Sequence, residues 1–154
     1  MNDIKNLKRM KLIGYLLMAG YLVFIVYFGF FSKIAGRNFV HVDKYNVIPF
    51  RNIGNYLRIQ NVSNIMPFAV NIIGNIAVFI PFGIIMPIII SGRKRNNPIF
   101  TTSFGALLLS LSVELIQYIM SVGVFDVDDL ILNTIGAFIG YVMYTIVRRQ
   151  HSFK

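Results

Sequence analysis

Six residues of this 154-residue chain are acidic, and four of them fall in one otherwise apolar stretch, "SVELIQYIMSVGVFDVDDLILNTIGAFIGY". They are Glu114, Asp126, Asp128 and Asp129. A carboxyl group in apolar surroundings holds its proton to higher pH than one in water, which suits a general acid or base. It also accepts hydrogen bonds from hydroxyls and amines. Amides accompany the acids at helical spacing. Gln117 follows Glu114 by three residues, Asn133 follows Asp129 by four, and Asn71 and Asn75 form a third pair four apart. Such spacings put both members of a pair on one helix face.

Other chemistries find less support. The chain has no Cys, which excludes disulfides and thiolate nucleophiles, and its two His are isolated at positions 41 and 151. No Ser-His-Asp or HExxH pattern is present, and "DVDD" lacks the spacing and the glycine of a calcium loop. No metal and no cofactor is expected. The sequence names no catalytic residue beyond Glu114 as a candidate.

The elements that would position these groups are membrane spans. The chain is 56% hydrophobic, with a mean hydropathy of +0.65, and the apolar residues come in runs long enough to cross a bilayer. Four spans are expected, at about 12–31, 67–91, 99–122 and 129–147, in a single domain. The fold class is an all-α membrane protein, a bundle of four transmembrane helices. A long extracellular loop, expected to be ordered, joins the first and second. The first run has no A-x-A-like cleavage site and is longer than a signal-peptide core, so it reads as a retained helix.

The formal net charge of +9 would suggest nucleic acid in a soluble chain, but here the bases flank the spans. No nucleic-acid partner is expected. Ten bases (Lys5, Lys8, Arg9, Lys11, Arg93, Lys94, Arg95, Arg148, Arg149 and Lys154) fall on one side of a four-span topology. Five (Lys33, Arg37, Lys44, Arg51 and Arg58) fall in the long loop on the other. The positive-inside rule then puts both termini in the cytoplasm.

At a rise of about 1.5 Å per residue, Glu114 lies roughly 10 Å inside the outer boundary, with Asn71, Asn75, Asp129 and Asn133 at comparable depth. An ionisable group deep in the bilayer costs about 2.5–3.5 kcal/mol on insertion scales, so Glu114 is a functional candidate by default. Structural readings compete. The Asn pair can simply bond neighbouring helices, and Glu114 can be a protonated acid bonded to Gln117 or an Asn. Asp126 can be a turn residue, and Asp128 or Asp129 a helix N-cap. Gly136 and Gly140, four apart, fit close helix packing.

The same residues carry a family resemblance. "NIIGNIAVFIPFGIIMP", "SVELIQ" and "FDVDDLILNTIGAFIGY", in that order, resemble the signature blocks of the VanZ-like membrane proteins. "YNVIPF" resembles that family's block after its first helix. Carried over by position, the family's recurrent residues fall on Asn71, Asn75, Glu114, Gln117, Asp126, Asp129, Asn133 and Gly136, with Arg51 in a more variable block. The resemblance implies low-level resistance to teicoplanin-type glycopeptide antibiotics, in the plasma membrane of a Gram-positive bacterium.

Three functions remain open. The first is binding of a membrane lipid or lipid-linked cell-wall precursor in an outward-facing polar pocket. Its residues are Asn71, Asn75, Glu114, Gln117, Asp126, Asp129, Asn133 and Arg51. The second is a membrane enzyme acting on a polyprenyl-phosphate or lipid-linked glycan with Glu114 as acid and base. The third is a small transporter or structural subunit, for which four spans would call for a homo-oligomer.

Overall fold

The computed structural model describes residues 2–31, 45–51, 54, 62–91 and 97–152. Four long helices dominate: α1 (Asn2–Val26), α2 (Val62–Ile90), α3 (Pro98–Ile119) and α4 (Val127–Ser152). A π-helical turn, Tyr27–Phe31, extends α1. Each helix contains a segment long and apolar enough to cross a membrane: Ile4–Val26, Ala69–Ile90, Pro98–Ile119 and Val127–Gln150. The expected four-helix membrane bundle is therefore what the chain forms. Helix α1 starts about ten residues before the expected span, because the basic arm is itself helical. Its Leu, Lys, Arg and Met residues are all good helix formers. The long loop falls largely on residues 32–44, 52–53 and 55–61, outside the described residues, and Lys33, Arg37, Lys44 and Arg58 go with it.

Neighbouring helices alternate in direction. Gly14 of α1 faces Ile88 and Ile89 at the far end of α2, while Tyr21 packs on Phe82, with ring centroids 6.2 Å apart. Helices α2 and α4 run the same way. Gly136 meets Ile76, and Gly140 meets Ile80 one turn on. The described bases Lys5, Lys8, Arg9, Lys11, Arg148 and Arg149 consequently gather at one end of the bundle.

The α2–α4 seam depends on missing side chains. A methyl group on Gly83 would collide with the carbonyl of Ala137, one on Gly136 with that of Ile76, and one on Gly140 with that of Ile80. Without a hydrophobic driving force in lipid, such close approach is how helices gain packing energy. Phe79, Phe82, Ala106 and Ala137 build the core around this seam, with Tyr21 and Ile25 of α1 against it.

Local signals explain where α3 begins and ends. Pro98 opens it, where its missing N–H costs nothing. At its C-terminus Ser121 adopts φ 54°, and Val122 and Gly123 both donate to the Gln117 carbonyl, at 2.9 and 3.2 Å. Gly123 suits this turn, since a Cβ would lie 3.0 Å from the Gln117 side chain. The chain then forms a two-residue strand, β2 (Phe125–Asp126), paired in parallel with β1 (Tyr45–Asn46). This small ladder straps the segment after α1 to the α3–α4 turn.

Candidate functional site

Asp126 is the hub of that strap. Its Oδ1 accepts from Asn46 Nδ2 and from the Asp128 amide, both at 2.9 Å, and the latter bond makes it the N-cap of α4. The cap is thus Asp126, and neither Asp128 nor Asp129. The β2 pairing leaves Asp126 in extended backbone just before the helix, the conformation a cap requires. Asp128, 3% exposed, accepts instead from the Phe50 amide and holds Phe50 at a left-handed φ of 63°. The Asn46 Oδ1 accepts from Ile48 N at 3.3 Å. From the other side, the Asp126 amide donates to Glu114 Oε2 at 3.2 Å. The strap and Glu114 form one hydrogen-bonded unit.

Behind this unit lies a cavity of about 250 Å³ between all four helices, at the end opposite Lys5, Lys8, Arg9, Lys11, Arg148 and Arg149. Asn71, Asn75, Glu114, Gln117, Asp129 and Asn133 all line it. Six of the eight site residues expected from the sequence therefore meet around one space. Glu114 and Gln117 are almost wholly buried, at 3% and 2% exposed. Their positions are fixed by specific bonds. Asn75 Nδ2 donates to Asp129 Oδ1, Asn133 Nδ2 to Ser110 Oγ at 2.8 Å, and Gln117 Nε2 to the Gly29 carbonyl at 3.0 Å. The rest of the wall is apolar: Ile25, Val70, Val78, Phe79 and Val113, with Gly29 and Gly74.

The other two expected residues lie off the wall. Asp126 acts through its amide on Glu114 and through its side chain on the strap. Arg51 is exposed on the segment that Asp128 anchors, with its own amide bonded to the Ile48 carbonyl at 3.2 Å. Three participants go beyond what the sequence suggests. Ser110 sits four residues before Glu114, so its place on the same face was readable. Asn46 is 80 residues from its partner, and Gly29 contributes only a backbone carbonyl. Neither carries a local signal. Among the described residues, no group of three His, Cys, Asp or Glu is placed to hold a metal ion.

The VanZ/LLP1 family profile matches residues 12–148, nearly the whole chain and every residue lining the cavity. The chain belongs to the VanZ/LLP1 family. It is 29% identical over 147 residues to Protein VanZ of Enterococcus faecium, covering 94% of this chain and 81% of that protein. No solved structure matches. As a VanZ-family chain with four membrane-spanning helices, it is a multi-pass membrane protein. Membership supports, at the level of the family, the teicoplanin-resistance type of role that the sequence blocks implied.

Proposed function

We propose that the protein binds a lipid or lipid-linked cell-wall molecule in this cavity and thereby lowers the access of teicoplanin-type antibiotics to their target. The observation that carries the reading is the cavity itself. Polar groups from three helices, with Glu114, Gln117 and Asn133 buried, converge on a space whose remaining walls are apolar, which matches an amphiphile with a polar head. The six described bases at the opposite end support placing the cavity in the outer half of the membrane, with the termini inside. Cysteine introduced at Val124 would then label from outside, and at Asn96 only from inside. The reverse pattern would move the cavity to the inner leaflet.

Function is tested by expression in a susceptible Gram-positive host. The inhibitory concentration of teicoplanin should rise more than that of vancomycin. Glu114→Ala and Asn133→Ala should abolish the rise while the protein still accumulates in the membrane. Equal shifts for both drugs, or none, would overturn the reading.

One observation favours a second reading, acid–base catalysis on the same ligand: Glu114 is buried yet on the cavity wall. Glu114→Gln separates the two. It keeps an acceptor for the Asp126 amide but cannot exchange a proton, so binding should be weakened and not lost, whereas proton transfer would be abolished.

A further inference from the structure

The cavity wall is biased towards accepting hydrogen bonds. Glu114 and Asp129 contribute carboxyl groups, with Asp126 and Asp128 close by in the chain. Asn75 and Asn133 each spend one N–H on Asp129 or Ser110, which leaves each with a single N–H against the two lone pairs of its carbonyl oxygen. No Lys or Arg is among the described lining residues. Such a wall opposes an anion. It favours a group rich in donors and positively charged, for which a primary ammonium with three N–H bonds is the best match.

Size narrows the occupant further. At about 250 Å³ the cavity is smaller than the roughly 300–1,000 Å³ typical of drug-sized ligands. It has room for about eight waters at about 30 Å³ each. A glycopeptide antibiotic is far larger. The space fits one headgroup with its first carbons along Ile25, Val70 and Val78.

We propose that the cavity selects the ammonium-bearing head of a membrane amphiphile, discriminates against heads whose only charge is a phosphate, and does not admit the antibiotic itself. This rests on the reading of the cavity as a ligand site.

The test compares two probes that differ only in the head. Short-chain phosphatidylethanolamine and short-chain phosphatidylglycerol with the same acyl chains are titrated against the purified full chain in a nonionic detergent, with binding read by native mass spectrometry. The unaltered protein should prefer the ethanolamine probe at least tenfold, and Glu114→Gln should weaken that probe's binding about tenfold. Gly74→Leu fills the cavity from a position where a Cβ meets no atom within 4 Å, and should abolish binding. Gly20→Leu, equally unobstructed but outside the cavity wall, should leave it unchanged. Equal binding of the two probes, or preference for phosphatidylglycerol, overturns the charge selection. If Gly74→Leu still abolishes binding in that case, the cavity remains the ligand site. Binding of neither probe, or binding indifferent to Gly74→Leu, overturns the ligand-site reading as well. Because the preference is measured on the unaltered protein, a variant that fails to fold cannot hide the answer.

Discussion

Helices α2 and α4 meet twice, in opposite ways. From Ile76 to Gly83 on one and Gly136 to Tyr141 on the other, backbone lies on backbone and a single methyl has nowhere to go. In the two turns before it, at Asn71 and Asn75 against Asp129 and Asn133, the same pair borders a cavity and carries its polar groups there. The seam gains its energy from absent side chains and the cavity its character from expensive ones. Each needs the other. A rigid, narrow seam fixes the distance at which the polar residues stand, and a carboxylate this deep is tolerable only where neighbours hydrogen-bond it.

The contrast is broken most severely at the seam. Gly140→Ala puts a methyl against the Ile80 carbonyl and the Gly83 backbone, neither of which can rotate away. Overpacking of this kind costs about 1–3 kcal/mol. Thermal melting in detergent should show a larger drop than Asp126→Ala or Gly20→Ala produces, with lower accumulation in the membrane. An unchanged melting temperature would mean that the helices are not in backbone contact.

Asp126→Ala acts at the other pole and should cost less. Losing an N-cap is worth about 0.5–2 kcal/mol, and the Asn46 amide loses its partner as well. The specific signature is local. Hydrogen exchange at the Ile48 and Phe50 amides should accelerate, because the strap that carries them is released from the α4 N-terminus. Exchange unchanged at both amides would show that Asp126 does not anchor the strap.

Smallest of all is Gly20→Ala. An added Cβ there meets nothing within 4 Å, so no steric cost is expected and stability should move by no more than about 1 kcal/mol. Any change should be towards stability, since glycine inside a helix is about 1 kcal/mol worse than alanine. A loss comparable to Gly140→Ala would show that glycine matters here for a reason other than the seam.

The sequence carried the spans plainly, because a crossing helix needs some twenty apolar residues and only four runs satisfy that. It also carried the convergence of Asn75, Glu114, Asp129 and Asn133, since spacing of three or four fixes the helix face and counting from the ends fixes the depth. The strap was not legible. A parallel pairing of two residues leaves no periodicity, and Asn46 and Asp126 are far apart in sequence. The wall contributed by α1 was equally hidden. Ile25 is one apolar residue among many, and the Gly29 carbonyl is a group every residue possesses. For Asp126, residue type showed a polar group near the site. Only three-dimensional pairing showed that it positions the site from outside the wall.

If the cavity is the seat of function, Gly74 offers the most direct measurement of it. Gly74→Leu and Gly20→Leu each add the same side chain to a helix position free of steric conflict, but only the first projects into the cavity. Both variants are expressed at matched membrane levels in a susceptible Gram-positive host, and the inhibitory concentration of teicoplanin is determined. Protection should be lost with Gly74→Leu and retained in full with Gly20→Leu. Full protection by a stably accumulated Gly74→Leu protein would contradict a functional role for the cavity.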